Sequence, residues 1–115
     1  MFSLNESLVY YLYPRYITMG KGIECLYELI RSEMGANPLE GDAYLFFNRK
    51  RDMIKILRWD TDGFILYQKR LENGTFELPR FKPEEGLCKI EWETFFMIIR
   101  GIPLRTTQLR KRFKL

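Results

Sequence analysis

The sequence contains no histidine. That absence removes the side chain most used for acid–base catalysis near neutral pH and for holding metals. No Ser-His-Asp or Cys-His constellation can be assembled from this chain. Cysteine is scarce as well, with Cys25 and Cys88 the only two. They lie far apart and make no CxxC pair, the spacing a zinc knuckle needs. One pair is no disulfide framework, and both stand beside apolar neighbours, so they read as reduced structural thiols. A glycine-rich phosphate loop is missing too, because Gly20-Lys21-Gly22 has neither the spacing nor the preceding strand of such loops. Long apolar runs are lacking. Leu8 to Tyr13 is about a third of a membrane span. The first six residues carry no basic stretch, and Glu6 stands where an apolar one would begin. The expectation is a soluble cytoplasmic protein with no membrane partner, no cofactor and no metal.

What is present is enough for one folded domain. In 115 residues, 46% are hydrophobic and 16% aromatic, so a core can form without disulfides. Charge is unevenly placed. The chain has 19 basic and 15 acidic residues, and Arg105, Arg110, Lys111, Arg112 and Lys114 crowd the last eleven positions without an acid. Without those five, 14 basic residues face 15 acidic ones. The division expected is a domain over residues 1–104 and a basic tail over 105–115. Such a tail contacts phosphate or an acidic partner, or only solubilises the end.

Local patterns predict an α+β fold. Leu8-Val9-Tyr10-Tyr11-Leu12-Tyr13 is rich in strand formers and halted by Pro14. Thr18 is placed to cap a helix over 19–34, whose buried face is Ile23, Leu26, Tyr27, Ile30 and Met34, with Gly35 and Pro38 ending it. Four short runs follow: 43–47, 53–59, 64–71 and 75–78. The tip 48–52, the turn 60–63 and Asn73-Gly74 separate them, which predicts a four-stranded antiparallel meander rather than a βαβ unit. In the turn, Gly63 is the residue expected in the left-handed region. A polar connection over 80–89 leads to a C-terminal helix with Trp92, Phe95, Phe96 and Ile99 on its buried side, closed by Gly101. Both helices are expected on one face of the sheet. Met97 and Ile98 then point outward and are candidates for a protein partner.

Asp52, Asp60 and Asp62 would suit a carboxylate metal site for phosphoryl transfer, but turns use aspartate in the same way, and the turn reading fits each better. A nuclease is therefore disfavoured, and no residue is assigned a catalytic role. The sharpest charged cluster is Asn48-Arg49-Lys50-Arg51-Asp52, followed by Lys55 and Arg58 on the next strand. Three cations on a tight tip could straddle a phosphate backbone, extended by Lys55 or Arg58. They could equally be a turn kept soluble by charge, and composition alone leaves both readings open.

The stretch from Asn48 to Asp60 (NRKRDMIKILRWD), with its continuation from Gly63-Phe64 through Lys69-Arg70-Leu71-Glu72-Asn73-Gly74-Thr75-Phe76 to Pro79, resembles the central signature of an insertion-sequence family. This is the TnpB-type accessory protein, the second open reading frame of the insertion-sequence-sixty-six class. Thr18-Met19-Gly20-Lys21-Gly22-Ile23 looks like its aspartate-methionine-arginine-lysine-glycine motif. Residues 90–102 are similar to its last helix. Thr18 replaces the usual aspartate, and Gly20 an arginine, which leaves Lys21 as the cation of that motif. Glu91-Trp92 stands in for threonine-proline, a weaker helix start.

The resemblance implies a non-catalytic accessory role in DNA transposition. Its partners would be the transposase encoded by the same element and DNA at the element ends. The alternative is a protein-interaction module that never touches DNA. The expected DNA contacts are Lys21, Arg49, Lys50, Arg51, Lys55 and Arg58, with Arg110, Lys111 and Arg112 on the tail.

Overall fold

The computed structural model describes residues 4–80 and 87–101. Five strands and two α-helices make up the framework: β1 (Tyr10–Tyr16), α1 (Ile23–Ser32), β2 (Ala43–Phe47), β3 (Met53–Asp60), β4 (Gly63–Arg70), β5 (Cys88–Ile90) and α2 (Trp92–Arg100). A single turn of 3-10 helix, Pro38–Glu40, precedes β2 and is capped by the Asn37 side chain. The strands form one mixed sheet in the order β4-β3-β2-β1-β5.

The α+β composition matches the sequence reading, but the connectivity does not. β1 runs parallel to β2, with Tyr10, Tyr11 and Leu12 opposite Ala43, Tyr44 and Leu45. A parallel neighbour needs a crossover, and α1 supplies it, so the chain does contain a βαβ unit. Only β2, β3 and β4 form an antiparallel meander. The fifth strand lies inside the segment expected to be a connection. Residues 88–90 pair antiparallel with β1 at the sheet edge, Ile90 opposite Tyr10.

The run over 75–78 is not a strand. Gly74 takes a positive φ of 77°, yet no hairpin is built on it. The chain instead folds back under the β2–β3 tip. The Leu71 amide donates to the Asp52 carbonyl (2.8 Å) and the Phe76 amide to the Arg51 carbonyl (2.7 Å). The Phe76 ring is fully buried, edge-on to Phe47. Burying one large aromatic is worth about 2–3 kcal/mol, against about 1 kcal/mol net for each ladder bond that a further strand would add.

The helices lie on opposite faces of the sheet, not on one. Strand side chains alternate between two separate cores. Tyr10, Leu12, Leu45, Phe47, Ile54 and Ile56 pack with Phe95, Ile98 and Ile99 of α2. Tyr13, Tyr44, Phe46 and Leu57 pack with Leu26 and Ile30 of α1. This explains why Ala43-Tyr44-Leu45-Phe46-Phe47 is apolar without interruption: a strand covered on both faces has no polar side.

Helix α1 begins later than expected. Gly22 is its N-cap and no side chain caps it. Thr18 does not cap the helix; its carbonyl accepts from the Lys21 amide (3.3 Å) in the loop before it. A strand therefore does precede the Gly20-Lys21-Gly22 segment, contrary to expectation, although phosphate-loop spacing is still lacking. Helix α2 closes as expected at Gly101, φ 73°. The β3–β4 turn also differs in detail. Asp60 pairs with Gly63, and Thr61, not Gly63, occupies the left-handed region at φ 52°.

Candidate nucleic-acid interface

The hairpin tip is organised by its first residue. Asn48 Oδ1 accepts from the amides of Asp52 and Met53 (both 3.1 Å), and its side-chain amide donates to Asp52 Oδ1 (2.6 Å). The Asn48 carbonyl accepts from the Arg51 amide (3.0 Å), and Arg51 turns through the left-handed region at φ 58°. The backbone and the two short polar side chains satisfy each other, so Arg49, Lys50 and Arg51 are left on the outside, all exposed. Arg49 rests its guanidinium over the Tyr16 ring, 5.7 Å from the centroid.

Because β1 and β2 are parallel, whatever follows each of them emerges at the same end of the sheet. The loop 17–22 follows β1, and the tip 48–52 follows β2. The Ile17 amide donates to the Phe47 carbonyl (2.9 Å), extending the pairing to that rim. A groove of about 450 Å³ lies between the two segments, lined by Thr18, Met19, Asn48, Arg49, Lys50 and Arg70 among others. Arg70 arrives from the last position of β4, opposite Met53. Lys21, Arg49, Lys50, Arg51 and Arg70 thus share one end of the molecule. The ion pairs among the described residues are Arg15–Glu33 (2.8 Å) and Arg58–Asp60 (4.0 Å), so none of these five cations is in one. Asp52 also lines the groove, with its carboxylate engaged by Asn48.

The opposite end is acidic. Glu40 and Asp42 precede β2, Asp60 and Asp62 flank the β3–β4 turn, and Glu91 follows β5, all at the end marked by Tyr10, Ala43 and Ile90. Burial pushes the Asp42 carboxyl above its ordinary value, and Glu40 pushes it the same way against the pull of Lys89. No group of three His, Cys, Asp or Glu among the described residues is arranged to hold a metal.

A scan against protein-family models matches residues 8–109 to the family described as IS66 Orf2 like protein. The chain belongs to the IS66 Orf2-like family. Among curated proteins, an uncharacterized protein of Sinorhizobium fredii, y4jC, is 32% identical over 82 residues, covering 71% of this chain and 68% of that one. A second from the same organism, y4hO, is 29% identical over 79 residues, covering 69% and 67%. No solved structure matches. Two of the segments that carried the resemblance, Thr18-Met19-Gly20-Lys21-Gly22 and the start of the stretch from Asn48, meet at the groove.

Not every expected contact belongs to this IS66-family groove. Lys55 is buried, 5% exposed, on the α1 face. Its Nζ donates to the carbonyls of Met19 (2.7 Å) and Lys21 (2.6 Å). It holds the loop 17–22 against the sheet and is not available to phosphate. Arg58 points to the other face, as strand alternation requires. Its side chain is 16% exposed, donates Nε to the Gly41 carbonyl (3.3 Å) and leans toward Asp60 at the acidic end. Arg110, Lys111 and Arg112 lie outside the described residues. Arg70, placed in the groove, was missed because its strand position gave no local sign of where β4 ends relative to β2.

The partner surface also changes. Ile98 is 1% exposed and packs into the α2-side core, while Met97 is half-buried. The outward aromatic is Phe96, 41% exposed, with Arg100 over its ring at 5.5 Å. Phe95, Ile98 and Ile99 define the buried stripe, one step round the helix from the expected one. Cys25 is exposed on α1, and Cys88 packs against the α2-side core.

Proposed function

We propose that this protein assists transposition of an insertion-sequence element by gripping DNA phosphates with the cationic end of its sheet, without catalysing a step itself. The observation that supports this most is the meeting of loop 17–22 and tip 48–52 at one groove lined by Arg49, Lys50 and Arg70, with Lys21 and Arg51 at the same end of the sheet and none of the five in an ion pair among the described residues. Phosphate contacts need cations that are exposed and positioned, and a tip fixed by Asn48 holds its arginines at lower entropic cost than a flexible chain would. The tail cations Arg110, Lys111 and Arg112 would add a sequence-indifferent contact of the same kind. The transposase of the same element is the expected protein partner.

The test is a salt titration of binding to duplex DNA carrying element ends. Changing Arg49, Lys50 and Arg51 to alanine should lower the salt slope by about two to three. Binding that does not weaken with salt, or a folded tip variant that binds as the parent does, overturns the reading. A role confined to protein contact would then be the better account, and the exposed Phe96–Arg100 side of α2 is the surface that favours it.

A further inference from the structure

Among the described residues, the sheet has two edges of very different character. β5 is three residues long and offers little to pair with. β4 is eight residues long and pairs with β3 without a bulge from Asp60–Gly63 to Met53–Arg70. Edge strands are normally blunted by proline, bulges or charge directed at the edge. The middle of β4, Phe64-Ile65-Leu66-Tyr67, has none of these devices and is only half-buried. The Leu71 amide points inward to the Asp52 carbonyl. By alternation, Phe64, Leu66 and Gln68 turn their amides and carbonyls outward.

We infer that a second copy of this chain pairs with β4 antiparallel to itself, giving one continuous sheet with five strands from each copy. The charge polarity of the molecule selects this occupant and this direction. β4 starts beside Asp60 and Asp62 at the acidic end and finishes with exposed Arg70 at the cationic end, while Lys69 turns its Nζ to the Ile99 carbonyl (2.9 Å). Two copies side by side in parallel would set like ends together. Antiparallel, the acidic turn of each copy meets the cationic end of the other.

With Leu66 on the two-fold axis, Phe64 faces Gln68, and the exposed Asp62 of each β3–β4 turn comes beside exposed Arg70 at the two ends of the pairing. In that register Phe64, Leu66 and Gln68 all meet outward residues, as a ladder requires. The contact shares Arg70 with the groove but does not require the groove to bind DNA.

Sedimentation equilibrium of the full chain decides the matter. A monomer–dimer equilibrium at micromolar concentration is expected, and a monomer throughout overturns the inference. Asp62→Arg and Arg70→Asp should each weaken the dimer by about ten-fold, and the double reversal should restore it. Gln68→Pro removes one outward amide at an exposed edge position, where proline is tolerated, and should also give monomers with an unchanged far-ultraviolet spectrum. A dimer unaffected by all three changes, or single reversals not rescued by the double, would place the contact elsewhere and overturn this one.

Discussion

The two ends of the sheet contrast in how their charges are used. At the acidic end Glu40 and Asp42 sit close enough together, and to Tyr11 and Tyr44, for their charges to act on neighbouring groups. Asp42 is raised by burial and by Glu40, and Tyr11 by burial and by Asp42 and Glu40. At the cationic end Arg49, Lys50, Arg51 and Arg70 are spread over a tip and a strand end, outside any ion pair among the described residues. One sign of charge dominates each end, with Asp52 among the cations and Arg58 and Lys89 among the carboxylates. One end confines some of them near buried groups, whereas the other projects them into solvent, and only the second arrangement suits a charged ligand.

The largest effect should come from undermining the support of the cationic end. Phe76→Ala empties a fully buried site beneath the tip. It should cost about 3–5 kcal/mol in a denaturant titration. If the midpoint moves little, the 71–76 segment does not brace the tip. Lys55→Met removes two charge-assisted bonds and leaves the carbonyls of Met19 and Lys21 without their donor. A loss of roughly 3 kcal/mol is expected. Faster amide exchange in residues 18–22 would locate the damage.

The acidic end should dominate the response to alkali. Tyr10 is buried, which pushes its hydroxyl from an ordinary value near 10 up to about 12, and the proton it donates to the Asn5 carbonyl is held in the folded state. Tyr44 is raised in the same direction by burial, then by Asp42 and Tyr11. Between pH 10 and 12 the unfolded chain loses these protons and the folded one keeps them. Stability is therefore complete below pH 10 and falls as pH rises through 12. A melting temperature that stays flat over that range would contradict the burial of these rings.

Alanine at Arg49, Lys50 and Arg51 should leave stability within about 0.5 kcal/mol of the parent while altering the salt dependence of DNA binding, because surface charges contribute little to folding. The smallest effect is expected from Asp42→Asn. Since the Asp42 carboxyl is raised by burial and Glu40, its charged form is disfavoured in the folded state above its folded pKa. The substitution should raise the melting temperature slightly at neutral pH, with the gain vanishing as acid protonates the parent. A lower melting temperature at neutral pH would mean that the Asp42 charge is better compensated by Lys89 than its surroundings imply.

Local chemistry was readable wherever neighbours in sequence decide it. The strands 43–47 and 53–59, the closing glycine of α2 and the exposed charged tip follow from β-branched and aromatic runs, the left-handed freedom of Gly101 and the polarity of residues 48–52. Some misread features were also within reach. Lys55 and Arg58 are three apart on a strand, so alternation alone sends them to opposite faces. Ala43 to Phe47 has no polar position, which already calls for cover on both sides. Asn48 stands at the start of a turn, where asparagine commonly bonds ahead to backbone amides.

What the sequence by itself determined is the inventory: an α+β domain without histidine chemistry, an uneven charge distribution and the segments that resemble the IS66 Orf2-like family. The tertiary structure alone decided how these are placed. Pairing β1 parallel to β2 depends on burying Tyr10, Leu12, Leu45 and Phe47 together under α2, an energy no local window contains. That pairing brings loop 17–22 and tip 48–52 to one rim, sends Lys55 inward to hold the loop, and separates cations from carboxylates along the strand axis. Strand order is set by long-range burial, and the groove exists only because of that order.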